Sequence, residues 1–309
     1  MTGVQNSRPL RLGTRHSALA LAQSRQTAAA ITAATGQEVE LVEITTYGDT
    51  STEALAQIGG TGVFVSALRD ALHAGDVDLA VHSLKDLPTA APDGLILAAV
   101  PERAAVNDVL VARDGLKLAD LPPGARVGTG APRRMAQLRL LRPDLDVRAI
   151  RGNVDTRVGY VRKGELDAVI LALAGLFRLG RAGEATEIFE PDVLLPSPGQ
   201  GALAVECRDE TLAELLSVLD HAPSRAAVSA ERALLSVLEA GCSAPVGGHA
   251  VAVDDKTLSL TGLVATVDGS TGLRRSLTGG LADPAALGRA LADELLNLGA
   301  RDLMGVREA

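Results

Sequence analysis

A lone thiol, Cys242, sits in Leu238-Glu239-Ala240-Gly241-Cys242-Ser243-Ala244-Pro245-Val246-Gly247-Gly248, just past a long helical pattern. Gly, Ala, Ser and Pro around it describe an exposed loop rather than packed core. An accessible thiol can act as a nucleophile or an attachment point. A buried cysteine is inert, and the loop composition leaves the two readings evenly matched. The second chemical group is a set of arginines. Arg15 follows Leu12-Gly13-Thr14, Arg133 and Arg134 follow Gly128-Thr129-Gly130, Arg151 ends a strand, Arg157 lies on the next helix and Arg178 follows the next strand. Each falls at a strand end or a helix start, the edge where α/β sheets bind ligands. Guanidinium forks match carboxylates and phosphates. Each charge-assisted hydrogen bond contributes roughly 1.5–3 kcal/mol, so several together describe a polyanion site. The Gly-Thr turns add free N–H groups at helix starts, and Thr14, Ser17 and Thr129 add hydroxyls, although Ser and Thr there are also ordinary helix caps. Asp86 follows Lys85 at a strand end. In an arginine-lined cleft its carboxylate stays ionised and can stabilise a cation or move a proton; the alternative is a Lys–Asp surface pair. His82, on an apolar strand, reads as a core histidine, and Phe64, beside a glycine loop, as a core residue.

Composition limits the class. The chain has 309 residues, 47% hydrophobic and 22% charged, as in a globular protein of two or three domains. A net charge of −8 argues against nucleic-acid binding, so any positive field must be local. Two cysteines, Cys207 and Cys242, form neither a disulfide framework nor a metal cluster. Met1 to Pro9 lacks the apolar core of a signal peptide and no apolar run spans a bilayer. The expectation is a cytoplasmic, soluble protein without metal or membrane association.

The elements that must position these groups alternate. Strands are predicted at 10–13, 39–45, 79–82, 95–100, 109–112, 147–150, 168–172 and 202–206, and 126–130 reads as a strand passing into a turn. Helices are predicted at 18–34, 63–73, 132–141, 154–162 and 175–179. A Gly-rich loop over 47–62 is long enough to be a flap. Helices at 211–219 and 225–239 follow, then strands at 248–253, 258–265 and 273–278 and a helix at 283–298. Two stretches echo each other: Leu12-Gly13-Thr14 with Val127-Gly128-Thr129, and Gly75 to Val81 with Gly164 to Ile170. Two α/β units of one design are therefore expected. Crossings near 101–108 and 196–201 place domain 1 at 1–101 and 201–220, domain 2 at 106–197, and a small α+β domain 3 at 223–309.

Taken in order, Leu12 to Ser17, Gly59 to Phe64, Val81 to Pro88, Arg133-Arg134, Arg151-Gly152-Asn153-Val154-Asp155-Thr156-Arg157, Ala174-Gly175-Leu176, Gly199-Gln200-Gly201-Ala202 and Gly241-Cys242 resemble the porphobilinogen deaminase (hydroxymethylbilane synthase) family. The resemblance covers nearly the whole chain. It implies two periplasmic-binding-protein-like α/β domains and a small α+β C-terminal domain. It implies a monomeric enzyme that condenses four porphobilinogen molecules head to tail, with loss of ammonia, into hydroxymethylbilane. It also implies a dipyrromethane cofactor held as a thioether on Cys242. By the same resemblance Asp86, Arg15, Arg151 and Arg157 are catalytic. Ser83, Lys85, Asp86, Thr129, Arg133 and Arg134 would contact the cofactor. Arg15, Ser17, Phe64, Arg151, Arg157, Arg178 and Gln200 would contact substrate. The carboxylates of porphobilinogen would account for the arginines, and Asp86 would stabilise the cation left by ammonia. The chain departs from the family at Gln57 and Thr61, where lysines are common, and at Gly130-Ala131, where two hydroxyls are common. The rival reading is a non-catalytic, two-lobed protein that binds an anionic ligand. It leaves Cys242 unexplained. A transcription regulator would need a DNA-binding helix pair, and a thiol enzyme would need a base for which only His249 is near in sequence.

Overall fold

The computed structural model describes residues 8–45, 63–90, 92–240 and 244–304, except the side chains of Val63 and Phe64. The chain forms two compact units, one of residues 1–103 with 202–225 and one of residues 104–201 with 226–309. The first unit holds a five-stranded sheet ordered β2-β1-β3-β10-β4. Its strands are β1 (Leu10–Thr14), β2 (Val39–Glu43), β3 (Leu79–Ser83), β4 (Ile96–Ala99) and β10 (Leu203–Cys207). Helix α1 (Ala18–Thr35) joins β1 to β2 and helix α2 (Val63–Ala74) leads into β3. A short helix, α6 (Glu210–Leu216), follows β10. Leu10, Leu12, Leu79, Val81, Leu203 and Val205 project from the strands into a core closed by Ile31 and Leu216.

The second unit repeats this plan. Its sheet runs β7-β6-β8-β5-β9. The strands are β5 (Asp108–Ala112), β6 (Arg126–Thr129), β7 (Asp146–Ala149), β8 (Ala168–Ala172) and β9 (Glu187–Phe189). Helices α3 (Pro132–Leu141), α4 (Val154–Arg162) and α5 (Leu173–Arg178) connect them. β1 lies between its parallel partners β2 and β3, β6 lies between its parallel partners β7 and β8, and one strand in each sheet, β10 or β5, runs antiparallel to its neighbours. The sequence echo has a physical basis. Asp78 accepts the backbone N–H of Arg11 at 2.8 Å, and Asp167 accepts that of Arg126 at 2.8 Å. Each arginine then reaches back to a glycine carbonyl, Gly75 or Gly164, that ends the preceding helix. One carboxylate thus locks strand to strand and helix stop in both sheets. This is the α/β class expected, with two five-stranded sheets.

The second unit also contains an antiparallel sheet of β11 (Val246–Ala252), β12 (Thr257–Ala265) and β13 (Gly272–Gly280). It is covered by α7 (Ala222–Val237) and α8 (Pro284–Asn297), and α9 (Ala300–Leu303) ends the described chain. Leu234, Leu258, Leu260, Leu291 and Leu295 fill the interface. This part is the small α+β region expected. Three details differ from the sequence reading. Strand β9 was not anticipated, because three residues are too few for an alternation signal. Helix α5 begins at Leu173, ahead of Gly175, which is buried inside it. Helix α7 begins at Ala222, with Pro223 in its first turn, where Pro is favoured. Among the described residues no helix is long and apolar enough to cross a membrane.

Candidate functional site

In the first unit the expected groups gather at the carboxyl ends of parallel strands. Arg15 and Ser17 lie in the turn from β1 to α1, both half-buried. Ser17 caps α1, its Oγ accepting the Ala20 N–H. Thr14 is buried and its hydroxyl accepts from Ser24 at 2.8 Å, so it serves the core. Ser83 ends β3 and accepts from Gln23 at 2.9 Å, which stitches α1 to that strand end. Lys85 and Asp86 follow on one turn of 3-10 helix, Leu84–Asp86. That turn is fixed because Leu84 is buried and its N–H donates to the Ala202 carbonyl at 3.0 Å. Both side chains stay half-buried, and among the described residues the Asp86 carboxylate has no ion-pair partner. Lys85 and Asp86 are therefore not a mutual surface pair. Behind the turn, Glu206 on β10 accepts a bidentate fork from Arg69 at 2.7 and 3.0 Å. His82 Nε2 lies 3.2 Å from the same carboxylate, without the alignment of a hydrogen bond. His82 is a core histidine, as its strand position suggests.

In the second unit the groups gather at the equivalent edge. Thr129 ends β6, fully buried, and accepts weakly from Ala131 N–H. Gly130 is fitted there: a Cβ would stand 2.8 Å from the Ile150 carbonyl oxygen. Arg133 and Arg134 leave the first turn of α3 and are both buried, at 4% and 5% exposure. They share Asp108, at the start of β5, each 2.7 Å from one of its oxygens. Burial pushes the Asp108 carboxyl up, but the two guanidiniums and Gln200 hold it well below the usual range. Gln200 is itself fully buried, donating to Asp108 at 2.7 Å and to the Val106 carbonyl at 2.6 Å. Arg151 follows β7. Arg157 lies on α4 and donates to the Gly152 carbonyl at 2.8 Å. Arg178 ends α5 and donates to the Gly201 carbonyl at 2.8 Å; burial lowers its pKa.

Three buried nitrogens stand out. Arg134 Nε, Arg151 Nη1 and Arg178 Nε have no hydrogen-bond partner among the described residues. A buried guanidinium N–H without an acceptor is costly, so each of these donors would be stabilised by an anionic oxygen. A ligand with several carboxylates, such as a dipyrromethane, fits that donor set. Cys242, Gln57 and Thr61 lie outside the described residues, and so does the Phe64 side chain, although Phe64 falls in the first turn of α2. No group of three metal-ligating side chains occurs among the described residues. Sequence reasoning passed over Asp108 and Glu231. Glu231 is fully buried on α7 and accepts the backbone N–H groups of Gly199 at 2.6 Å and Ala250 at 2.8 Å. The available signal was a carboxylate placed on an otherwise apolar strand or helix face.

Comparison with known proteins identifies the family. A family model described as porphobilinogen deaminase, dipyromethane cofactor binding domain, matches residues 10–214, and one described as porphobilinogen deaminase, C-terminal domain, matches residues 226–297. Porphobilinogen deaminase 1 of Streptomyces coelicolor is 60% identical over 96% of this chain and 98% of its own. Porphobilinogen deaminase of Thermobifida fusca is 55% identical over 96% of each. The methionine-binding protein MetQ aligns with a TM-score of 0.44 at 12% identity, over 68% of this chain and 87% of that one. The duplicated sheets, the arginine-lined strand ends and the small third sheet are thus those of a chain that belongs to the porphobilinogen deaminase family.

Proposed function

We infer that this chain condenses four porphobilinogen molecules head to tail, releasing ammonia at each addition, to give hydroxymethylbilane for porphyrin and heme biosynthesis. The dipyrromethane, when bound through a thioether to Cys242, supplies the pyrrole to which the substrate units are added. The residues of the chain do the rest. Arg133 and Arg134 bind cofactor carboxylates, with Ser83, Lys85 and Thr129 as further contacts. Arg15, Arg151, Arg157 and Arg178 bind those of the substrate, with Ser17, Phe64 and Gln200 beside them. When ammonia leaves with the C–N electron pair, the pyrrole is left cationic. Asp86 stabilises that cation, and its half-buried carboxylate, with no ion-pair partner among the described residues, is available for the task. The observation that carries the reading is the trio of buried guanidinium nitrogens on Arg134, Arg151 and Arg178, unpartnered among the described residues. The same reading divides the chain into three domains at 1–101 with 201–220, 106–197 and 223–309, and takes the enzyme as a cytoplasmic monomer. A non-catalytic anion-binding role is not favoured, since it leaves the family match of the C-terminal region without purpose.

The test is intact mass of the purified protein with peptide mapping of Cys242. Two linked pyrroles on that residue are expected, and Cys242→Ser should carry none. An unmodified Cys242 that gains no mass with porphobilinogen would overturn the reading. Asp86→Asn should keep the cofactor and lose turnover by about 100-fold or more; near-normal turnover would remove Asp86 from the chemistry.

A further inference from the structure

Arg133 and Arg134 are consecutive on α3. Neighbouring positions on a helix point about 100° apart and do not face each other. Both guanidiniums are nevertheless brought to one point, because Asp108 Oδ2 takes Arg133 Nη2 and Oδ1 takes Arg134 Nη2, each at 2.7 Å. Their other nitrogens are steadied by backbone carbonyls, Leu195 for Arg133 and Ile170 for Arg134. Gln200 Nε2 fixes the carboxylate from a third side. One anion against two cations leaves the cluster with a positive charge, and Arg134 Nε is buried and without a partner among the described residues. Salt-bridge formation for its own sake would have satisfied that nitrogen or placed a second carboxylate here. The cluster instead holds two like charges together and keeps one donor uncommitted.

We propose that Asp108 is a positioning residue that converges Arg133 and Arg134 so that together they receive a carboxylate of the dipyrromethane. Asp108 itself touches neither cofactor nor substrate. The role rests on the function inferred above. Removing the carboxylate lets the two guanidiniums repel and swing apart. Displacing it by one methylene misaims both forks, and a misplacement of about 1 Å costs up to about 100-fold.

The test is the rate at which apo protein, incubated with porphobilinogen, gains the mass of the cofactor on Cys242. Asp108→Glu is compared with wild type and with Leu110→Ala, which hollows the core of the same strand without touching the carboxylate. Urea midpoints report the stability of each. Asp108→Glu should load at least about tenfold more slowly, while Leu110→Ala, equally or more destabilised, should load normally. A second comparison guards against unfolding of the glutamate variant. Asp108→Asn combined with Arg133→Gln keeps the cluster at one positive charge, and it should load more slowly than Arg133→Gln alone, because Arg134 has lost its aim. Equal rates in that comparison would overturn the role. So would wild-type loading by Asp108→Glu, or loading that follows stability across Asp108→Glu and Leu110→Ala alike. If wild type itself gains no mass, the functional reading fails first, and the role falls with it.

Discussion

Glu206 gives the molecule a pH dependence that can be worked from its surroundings. Its carboxylate is buried on β10 beside Arg69 and His82. Burial pushes its pKa up, but the Arg69 fork and the neighbouring imidazole more than offset that and bring it from 4.5 to about 2. A carboxyl lowered that far contributes about 3 kcal/mol of folding free energy at neutral pH. The contribution is fully present above the unfolded pKa near 4.5 and is lost as pH falls toward 2. Glu206→Gln should therefore destabilise the first unit by about 3 kcal/mol at pH 7. With a urea dependence of about 1–3 kcal/mol per molar, the midpoint falls by on the order of 1–3 M. The gap should narrow below pH 4.5 and close near pH 2, because the wild-type carboxyl is then protonated too. Urea unfolding by far-UV circular dichroism measures the gap at each pH. Reactivity of the adjacent buried Cys207 thiol reports opening of the same strand. A gap that is equally wide at pH 7 and pH 3, or below about 1 kcal/mol throughout, would refute the account of Glu206 as a charged, paired group.

Two further outcomes test other parts of the structure. Burial pushes the Cys207 thiol up to about 11, so it should resist iodoacetamide at pH 8 in the native protein, with labelling of apo protein confined to Cys242; modification of Cys207 without unfolding would contradict its place in the core. Gly201 has φ of +86°, and a Cβ there would stand 2.4 Å from the Ala104 carbonyl oxygen. Gly201→Ala should therefore cost at least about 2 kcal/mol, read as a lowered urea midpoint, and an unchanged midpoint would show that the crossing segments relax freely.

How far the sequence speaks depends on whether a residue's role is local. The Gly-Thr turns, the helix starts and the echo of Gly75 to Val81 in Gly164 to Ile170 are local signals, and the two sheets follow from them, with Asp78 and Asp167 in matching bonds. The positions of Arg15 and Arg151, just past β1 and β7, are legible in the same way, because a residue that follows a strand needs only its neighbours to be placed at the carboxyl edge of the sheet. Asp108, Glu206 and Glu231 were not legible as partners. Each acts across the fold: Asp108 on Arg133, 25 positions away, Glu231 on Gly199, 32 away, and Glu206 on Arg69, 137 away. In sequence each reads as one carboxylate in an apolar run, and only pairing tells a buried charge from an exposed one. The same distinction governs Gln200. Its motif places it beside the substrate, yet its amide is fully buried and committed to Val106 and Asp108. Its grip on that carboxylate bears on the aim of Arg133 and Arg134, so Gln200→Leu should slow cofactor loading as a milder form of Asp108→Glu, and loading at the wild-type rate would show that the amide is dispensable to the cluster.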